Sequence, residues 1–478
     1  MEDIPNYLGN PINAFTLIKR LTTDLDFIEE SIKKGTEYIK NVTMTRADSK
    51  YPVLEDLTGA AQALTRLQET YHLDTRELAE GKLNGVAYST PMTAADCYEL
   101  GRVLYNEKDF KNAIEWMMMA LEKFKDNETI YSFTEVDILE YISFSHYLLG
   151  DVKNALEWTK KLLVVDPKHS RARGNIPHYQ NSIAEEEARI RKERRGETGN
   201  DDVETKPSQK PSAYERERKT YESLCRGDMD IPAEISSKLT CRYLTENHPF
   251  LRLAPFRVEM MYLNPDVYLF YDVLSDNEIE EIKEMALPRF KRAVVHDPKT
   301  GELVPAHYRI SKSAWLRDTE SPTIARVSRR VTDMTGLSMD TAEELQVVNY
   351  GIGGHYEPHY DFARKRENAF TKQGGNRIAT VLFYMSDVAQ GGATVFTELG
   401  LSVFPVKGAA AFWLNLHPSG EGDLATRHAA CPVLRGSKWV SNKWIHQGGQ
   451  ELLMPCNLEY QKEEIARKIP RPVPKTSR

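Results

Sequence analysis

The 478-residue sequence lacks an apolar run near the roughly 18 residues that a membrane-spanning helix requires. Its N-terminus, Met1-Glu2-Asp3-Ile4-Pro5, lacks the basic and apolar regions of a signal peptide, which taken alone favours the cytosol. Basic residues are not in excess either, since 63 Lys and Arg face 70 Asp and Glu, a net charge of −7. Electrostatic attraction to nucleic acid or to an anionic membrane is therefore not expected.

Cysteine is scarce, and no Cys-x-x-Cys is present, so zinc ribbons and thioredoxin-type sites are not expected. Four of the five cysteines fall into two local pairs, 225/241 and 431/456, with Cys97 left over. Two closed loops and one thiol fit a lumenal protein. Five buried free thiols in a cytosolic protein remain an alternative. Two glycosylation sequons, at Asn41 and Asn127, slightly favour the lumen.

Size and changes of composition predict four regions, with boundaries at 1–88, 89–183, 184–255 and 256–478. The first has apolar residues at helical spacing and no catalytic groups. It indicates either packing or self-association through helices, or a helical cap on the next domain. The third region is highly charged and then polar with two prolines, which is typical of an interdomain linker.

The second region contains an internal repeat. Lys111-Asn112-Ala113-Ile114-Glu115-Trp116 recurs 42 residues later as Lys153-Asn154-Ala155-Leu156-Glu157-Trp158. A tetratricopeptide unit has about 34 residues, small residues where its two helices cross and Pro near its end. The small or terminal residues that fit this pattern are Gly101, Ala113, Ala120, Ala155 and Pro167. We predict a tetratricopeptide-like pair with a concave groove for extended peptide.

Aromatic residues are concentrated in this repeat, at Tyr98, Tyr105, Tyr141, Phe144 and Tyr147. The last three are spaced three apart and can share one helix face. Rigid aromatics lining a groove would suit a polyproline II segment, which loses little entropy on binding. Spacing alone favours the alternative, in which this stripe belongs to the core.

From about residue 256 the pattern changes to short strands bounded by Gly, Pro or Asn, with helical patterns at 276–286 and 322–335. The predicted strands are Leu345–Tyr350, Arg377–Ser386, Ala409–Asn415 and Trp439–Ile445. The predicted fold class is a multidomain protein, α plus α+β: N-terminal helices, a tetratricopeptide-like domain, and a C-terminal double-stranded β-helix (jelly roll) with packed helices.

The segment from His355 to Asp361 allows two metal-site interpretations. A helical zinc site with His at i and i+4 needs Glu after the first His and an unbroken helix, whereas Tyr356 and Pro358 occupy the intervening positions. In a strand, His359 and Asp361 project from the same face. With a distal His they would form the two-His, one-carboxylate triad of non-haem Fe(II) oxygenases.

The candidates for the distal ligand are His417, His428 and His446. His428 enters a predicted strand, and Lys438 follows ten residues later. A basic residue on the strand that follows the distal His can supply the cation that pairs with the distal carboxylate of 2-oxoglutarate. The combination of His-x-Asp, a distal His and a following Lys is far more specific than any one of these parts.

With these residues the C-terminal part resembles the catalytic domain of collagen prolyl 4-hydroxylase α subunits. The resembling segments are 350–365, 391–396, 420–423 and 427–446, and the likeness extends back through the repeat and most of the N-terminal helices. Relative to that family, the chain is expected to lack the signal peptide and the first helical stretch. Self-association through the N-terminal region is correspondingly open.

The resemblance implies roles for individual residues. His359, Asp361 and His428 would bind Fe(II), while Lys438, Tyr356 and Thr394 would bind the cosubstrate. The residues with implied catalytic or proline-site roles are His446, Arg377, Tyr350 and Trp444. The implied disulfides are Cys225–Cys241, within the third region, and Cys431–Cys456.

The resemblance also identifies the repeat as the peptide-substrate domain, with a groove formed by Tyr105, Tyr141, Phe144, Tyr147, Arg171 and Asn175. Two residues depart from the family pattern. Phe144 stands where a tyrosine is common, so a hydroxyl contact is lost there. His178 stands near the position of another expected tyrosine, and the peptide preference is therefore open. Protein disulfide isomerase is implied as a β subunit, in an α2β2 tetramer or αβ assembly, in the endoplasmic reticulum lumen.

The implied reaction is hydroxylation of peptidyl proline at C4 in collagen-like X-Pro-Gly sequences, with oxidative decarboxylation of 2-oxoglutarate to succinate and CO₂. Its implied cofactors and cosubstrates are Fe(II), 2-oxoglutarate, O₂ and L-ascorbate. Two alternatives remain. One is the same chemistry on another proline-rich protein, and the other is a non-catalytic tetratricopeptide scaffold.

Overall fold

The structure, a computed structural model, describes residues 9–26, 28, 52–125, 131–195, 212–296, 303–305, 308–364, 374–456, 469–470 and 473–475. The chain divides into two compact units, Met1–Lys210 and Pro211–Arg478. Among the described residues, no helix combines the length and the apolar character needed to cross a bilayer. The sequons at Asn41 and Asn127 lie outside the described residues.

The first unit is helical. Its described residues form helices α1 Pro11–Lys19, α2 Leu54–Tyr71, α3 Thr75–Ala79, α4 Ala94–Asn106, α5 Phe110–Lys123, α6 Glu135–Leu148, α7 Val152–Val165 and α8 Ser170–Arg195, with a π-helical turn at Arg20–Asp24 and a hairpin of β1 Lys82–Leu83 and β2 Val86–Ala87. Helices α4 to α7 pack consecutively as two antiparallel pairs, which confirms the predicted tetratricopeptide-like repeat.

The repeated hexapeptide follows the N-cap of the second helix in each pair. Asp109 accepts a hydrogen bond from the backbone N–H of Asn112, and Asp151 accepts one from that of Asn154. Each asparagine side chain also donates to the same aspartate, at 2.8 and 2.7 Å. These bonds satisfy the free amides at a helix start, so the two copies begin α5 and α7 in the same way.

Small residues allow the paired helices to approach closely, as predicted. A Cβ at Gly101 would lie 2.9 Å from Cγ of Met117, so α4 and α5 could not approach this closely with a larger residue. Ala113, Ala120 and Ala155 are fully buried at the same type of crossing. Close contact of this kind is what a tetratricopeptide pair requires.

The second unit is rich in strands. Its described residues form strands β3 Met229–Asp230, β4 Cys241–Leu244, β5 Phe256–Tyr262, β6 Val267–Tyr271, β7 Lys291–Arg292, β8 Val294–His296, β9 Leu303–Pro305, β10 Arg309–Ile310, β11 Lys312–Leu316, β12 Leu345–Tyr350, β13 His355–His359, β14 Arg377–Tyr384, β15 Gln390–Gly391, β16 Thr394–Phe396, β17 Leu401–Val403, β18 Ala410–Leu414, β19 His428–Ala430, β20 Val433–Arg435, β21 Lys438–His446 and β22 Val473–Pro474.

The helices of this unit are α9 Ala213–Arg226, α10 Ala233–Ser236, α11 Asp276–Ala286 and α12 Pro322–Thr335, with 3₁₀ turns at Pro249–Arg252, Leu287–Arg289 and Leu424–Thr426. Nine strands form a main sheet in the order β4-β5-β6-β18-β14-β21-β12-β11-β7. Five strands form a minor sheet in the order β10-β13-β19-β16-β17. All paired neighbours in both sheets are antiparallel.

Alternation along the central strands divides the core in two. Val347 and Val381 face a cluster that includes Ile279 of α11 and Val327 of α12. The adjacent Val348 and Leu382 face a second cluster that includes Phe396 of the minor sheet. Helices therefore cover one face of the main sheet and the minor sheet covers the other, which confirms the jelly roll with helices on one side.

The predicted disulfides Cys225–Cys241 and Cys431–Cys456 are wrong in this structure, since Cys225 is bonded to Cys431 with an S–S distance of 2.00 Å. Cys241 and Cys456 are free and exposed, and Cys97 is free and buried. The reason is the packing of α9 against β16 and β17, which carries Cys225 to the end of β19. The Ser402 hydroxyl fixes this packing by donating to the carbonyl of Leu224 at 2.9 Å.

Parts of the segment predicted as linker, 184–255, form regular structure. Helix α8 continues to Arg195, and from residue 212 the chain forms α9 and then β4. Strand β4 pairs with β5 at the end of the main sheet, so it belongs to the second unit. The other domain boundaries stay predictions.

Candidate active site

Two antiparallel strands of the minor sheet bring the predicted metal ligands together. His359 of β13 lies opposite His428 of β19 in the strand register. Nε2 of His359 lies 3.7 Å from Oδ1 of Asp361, and Nε2 of His428 lies 3.6 Å from Oδ2 of the same carboxylate. Among the described residues, these three form the one group of ligand atoms close enough to hold a metal ion.

Hydrogen bonds to backbone carbonyls determine which nitrogen of each imidazole is directed towards Asp361. Nδ1 of His359 lies 2.8 Å from the carbonyl oxygen of Glu357, and Nδ1 of His428 lies 2.9 Å from that of Thr426. A carbonyl only accepts, so each Nδ1 donates its proton to the backbone and each Nε2 is the nitrogen directed towards Asp361. Such outer contacts orient metal-binding histidines.

The ionisation states also fit a metal site. Burial, together with the adjacent His428, holds the pKa of His359 well below its ordinary value, so this ring is neutral at physiological pH. Burial alone would raise the pKa of Asp361, but His428, His359 and Arg377 outweigh burial and lower the pKa to about 2. A neutral imidazole and an ionised carboxylate are the forms that bind a metal.

A cavity of about 430 Å³, including its open mouth, lies between the two sheets beside these ligands. Lys438, the first residue of β21, is 99% buried in its wall. Its ammonium group donates to the Thr394 hydroxyl at 3.2 Å, and burial lowers the pKa of Lys438 to about 7.

The predicted cosubstrate residues converge on this cavity, which is lined by Tyr356 and Thr394 as well as Lys438. The hydroxyl of Tyr384 donates to that of Thr394 at 3.0 Å and so helps to fix the Lys438 contact. Burial raises the pKa of Tyr356 to about 12. The Tyr356 phenol therefore stays protonated and can donate a hydrogen bond.

The four residues predicted for catalysis or proline binding separate into two groups. Tyr350 and Trp444 line the cavity, whereas Arg377 and His446 do not. The Arg377 guanidinium lies 3.9 Å from the Trp444 ring centre and donates to the backbone oxygen of Asp361 at 3.3 Å.

His446 is fully buried, and its Nε2 lies 3.0 Å from Oε1 of Glu343. Glu343 also accepts a hydrogen bond from Nη2 of Arg377 at 2.8 Å. Glu343 thus links His446 to Arg377, and Arg377 in turn contacts Trp444 and Asp361.

Three residues that contact the site were missed by sequence reasoning. Arg309 lines the cavity with its guanidinium 4.8 Å from the Tyr356 ring, but its strand of two residues leaves no periodic signal. Glu343 lies just before β12 and has no motif of its own. Thr380 shares one face of β14 with Leu382 and Tyr384, so strand alternation could have identified it.

In the first unit, the aromatic residues form a partly exposed surface. Tyr105 packs edge-on against Tyr141 at 4.9 Å, and Tyr141 against Tyr98 at 5.9 Å. Phe144 and Tyr147 lie 5.7 Å apart further along α6. All of these side chains are half-buried, and Tyr147 packs against a buried cluster, so the stripe lies at the edge of the core with part of each ring open to solvent.

The remaining predicted peptide residues lie on α8. Arg171 is exposed and paired with Glu140 of α6 at 2.9 Å, and Asn175 is half-buried one turn further on. His178, one of the two departures, lies with Nε2 3.1 Å from the Tyr147 hydroxyl. Its ring occupies space beside Tyr147 and takes up that hydroxyl's hydrogen bond.

The ligand set fits Fe(II), because two imidazoles and one carboxylate leave coordination positions for a chelating cosubstrate and O₂. With the buried lysine in the same cavity, this arrangement defines an Fe(II)- and 2-oxoglutarate-dependent oxygenase. Residues 345–446 match the model of the 2OG-Fe(II) oxygenase superfamily. Residues 1–85 match the prolyl 4-hydroxylase α-subunit N-terminal region, and residues 94–185 match the prolyl 4-hydroxylase peptide-substrate-binding domain.

Three relatives match nearly the whole chain. Prolyl 4-hydroxylase subunit alpha-1 of Gallus gallus is 48% identical, over 96% of this chain and 89% of its own length. Subunit alpha-2 of Caenorhabditis elegans is 49% identical over 96% and 84%, and subunit alpha-1 of Homo sapiens is 48% identical over 96% and 86%. The chain belongs to the family of prolyl 4-hydroxylase α subunits.

Among solved structures, the viral collagen prolyl hydroxylase of Paramecium bursaria Chlorella virus-1, in its 2OG complex, is 22% identical with a TM-score of 0.31. The match covers 37% of this chain and 94% of that chain. The chain is assigned to its family on the three α-subunit relatives alone.

Proposed function

We propose that this protein hydroxylates peptidyl proline at C4 in collagen-like X-Pro-Gly sequences and converts 2-oxoglutarate to succinate and CO₂. The observation that carries the proposal is the convergence of His359, Asp361 and His428 beside buried Lys438, with Nδ1 of both histidines bonded to the backbone. The family of the chain supports the substrate.

The residues that would hold Fe(II) are His359, Asp361 and His428. When bound, Fe(II) together with 2-oxoglutarate and O₂ supplies the oxidising chemistry, and ascorbate is proposed to keep the metal reduced. The protein contributes an ionised Asp361, a neutral His359 and a cavity lined by residues of the two sheets. It therefore offers the ligands in the protonation states that binding requires.

Lys438 is proposed to bind the C5 carboxylate of 2-oxoglutarate. Its ammonium contacts the neutral Thr394 hydroxyl, and a carboxylate would be a far stronger partner in this buried position. Tyr356 also lines the cavity and can donate from its protonated phenol. These groups would hold the cosubstrate in one orientation beside the metal ligands.

For the substrate proline, we propose contacts with Tyr350 and Trp444, whose rings line the cavity. Arg377 lies against the face of Trp444 and fixes the position of that ring. His446 lies outside the cavity wall, so its proposed effect on cosubstrate binding and decarboxylation would act through Glu343 and Arg377.

The aromatic surface of the first unit is the proposed binding site for the proline-rich chain. Tyr105, Tyr141 and Tyr147 present half-buried rings, onto which the rings of a polyproline II segment can pack. The proposed polar contacts come from Arg171 and Asn175. Phe144 retains the apolar contact without a hydroxyl group.

We also propose protein disulfide isomerase as a β subunit, in an α2β2 tetramer or αβ assembly, and the endoplasmic reticulum lumen as the compartment. The names of the relatives, subunit alpha-1 and alpha-2, support a second kind of subunit. The Cys225–Cys431 disulfide supports an oxidising compartment.

Turnover by matched histidine variants tests the proposal. The chain is co-expressed with protein disulfide isomerase and supplied with Fe(II), 2-oxoglutarate, ascorbate and a Pro-Pro-Gly repeat peptide. His428→Gln removes a proposed ligand, whereas His417→Gln changes a nearby histidine outside the ligand group.

We expect the peptide to gain the mass of one oxygen atom per modified proline with wild type and His417→Gln, and no gain with His428→Gln. Succinate without peptide oxidation would support the assignment as an oxygenase and contradict the proposed collagen-like substrate. Neither product from folded, iron-loaded protein would favour the scaffold alternative.

A further inference from the structure

A chain of three buried hydrogen bonds runs from the main sheet to the carboxylate of Asp361. The Trp413 indole N–H donates to Oδ1 of Asn415 at 2.9 Å. Nδ2 of Asn415 donates to the Thr380 hydroxyl at 2.9 Å. The Thr380 hydroxyl donates to Oδ2 of Asp361 at 2.7 Å. Trp413, Asn415 and Thr380 are at most 1% exposed, so water does not compete for these bonds.

The direction of this chain is fixed from its first member. An indole N–H can only donate, so the amide of Asn415 must present its oxygen to Trp413 and its nitrogen to Thr380. The Thr380 oxygen then accepts from Asn415, and its proton points towards Asp361. Oδ2 of Asp361 is the acceptor at the end of the chain.

Strand geometry makes the arrangement rigid. Thr380 lies opposite Trp413 in the antiparallel pairing of β14 and β18, so the two side chains share a face of the main sheet. Asn415 follows β18 by one residue, and its N–H still bonds to the carbonyl of Ile378 at 2.7 Å. Trp413 also packs edge-on against the His428 ring at 4.8 Å.

We propose that Thr380 is a positioning residue for the metal ligand Asp361 and that Asn415 and Trp413 set its orientation. The hydroxyl fixes the rotation of the carboxylate, so that one oxygen faces each imidazole before a metal arrives. Without this bond, Oδ2 of the carboxylate would lose its hydroxyl donor, and metal binding would have to fix its orientation. This inference rests on the proposed function, because it takes His359, Asp361 and His428 as the metal site.

The test is metal affinity in the absence of turnover. The full chain, co-expressed with protein disulfide isomerase, is titrated with Co(II) under anaerobic conditions, and binding is followed by the visible absorption of the ion. Thr380→Val removes the hydroxyl at nearly constant volume. Thr380→Ser restores the hydroxyl in a smaller side chain.

Thr335→Val is the matched control. The Thr335 hydroxyl also donates one hydrogen bond, to Val331, and accepts one, from Leu337, but it lies on α12 outside the cavity lining. This substitution leaves the backbone amide of Leu337 with one hydrogen-bond partner fewer, and it does not affect the metal ligands.

We expect Thr380→Val to weaken Co(II) binding by about 10- to 100-fold, the usual effect of losing a partner of a metal ligand. Thr380→Ser should stay within about threefold of wild type, and Thr335→Val should leave Co(II) affinity unchanged. Wild-type Co(II) affinity and an unchanged Co(II) spectrum in folded Thr380→Val would overturn the inference.

A second variant covers the case in which Thr380→Val does not fold. Asn415→Leu leaves the Thr380 hydroxyl in place but frees it to turn away, so we expect a loss of about threefold or more in Co(II) affinity. Unchanged affinity in that variant would contradict the proposal. If wild type itself binds no Co(II), the proposed function fails instead, so the two failures are distinguishable.

Discussion

The buried lysine predicts how 2-oxoglutarate affinity depends on pH. In the free protein, burial lowers the pKa of Lys438 to about 7, and its hydrogen-bond partner is the neutral Thr394 hydroxyl. A carboxylate arriving beside the ammonium favours the charged form and raises its pKa. Above pH 7, binding must therefore take up a proton, and affinity must fall as pH rises. Below pH 7 the lysine is already charged and contributes no pH dependence.

The size of the effect follows from the fraction of charged lysine. With a pKa of about 7, roughly one tenth of Lys438 is charged at pH 8 and roughly one hundredth at pH 9. Each pH unit then weakens 2-oxoglutarate binding by up to about tenfold, or ~1.4 kcal/mol. At pH 8, binding should take up about 0.9 proton per cosubstrate molecule.

Calorimetric titration of the Mn(II)-loaded chain without O₂, in two buffers of different ionisation enthalpy, measures both quantities. Lys438→Arg is the control, because a guanidinium stays charged throughout this pH range. Its dissociation constant should be nearly flat between pH 7 and 9, whatever its absolute value. A flat wild-type profile without proton uptake would refute the role given to Lys438.

Three further predictions concern stability and peptide binding. Lys438→Met should raise the free energy of unfolding of the metal-free protein by about 1–4 kcal/mol in urea titrations at pH 7, because it removes a buried amine whose hydrogen bond is to the neutral Thr394 hydroxyl. A decrease would contradict this. Gly101→Ala should destabilise the first unit by about 1–3 kcal/mol, because the added Cβ would lie 2.9 Å from a neighbouring methionine. Gly59→Ala is the control: its Cβ would have nothing within 4 Å, so this variant should be neutral or stabilising. Equal thermal midpoints would count against the predicted contact. Tyr141→Ala should weaken binding of a proline-rich peptide by roughly tenfold in fluorescence titrations, while Tyr214→Ala, an exposed tyrosine of the other unit, should have no effect.

The metal site could be predicted because its signal is local. His359 and Asp361 share a face through the two-residue period of an extended chain, and that period survives folding. His428 and Lys438 required tertiary structure to join them, but the chemistry of the triad limits which distal residues can complete it. The structure places these four residues around one cavity.

The cysteine pairing could not be predicted in this way. Nearness in sequence favours Cys225–Cys241, whereas the bond depends on where α9 packs, and that docking depends on contacts with strands about 170 to 200 residues later. The partial exposure of the aromatic stripe could not be predicted for a related reason. Helical spacing shows that Tyr141, Phe144 and Tyr147 share a face, but it does not show whether another element covers that face.

His446 illustrates a further limit. Its position in the motif indicates nearness to the active site, and β21 does carry it there. Strand alternation alone cannot show that Glu343 and the Gly375 carbonyl hold its two ring nitrogens away from the cavity. Contacts made by residues distant in sequence, such as Thr380 and Asn415 around Asp361, are equally absent from a local pattern.

The most direct test of the central claim is the ratio of the two products. The chain, co-expressed with protein disulfide isomerase, is incubated with Fe(II), ascorbate, 2-oxoglutarate and a Pro-Pro-Gly repeat peptide, and 4-hydroxyproline and succinate are measured together by mass spectrometry. We expect equal amounts of both, with the hydroxyl group at C4. Succinate with an unmodified peptide, or hydroxylation at another carbon, would contradict the assignment as a prolyl 4-hydroxylase.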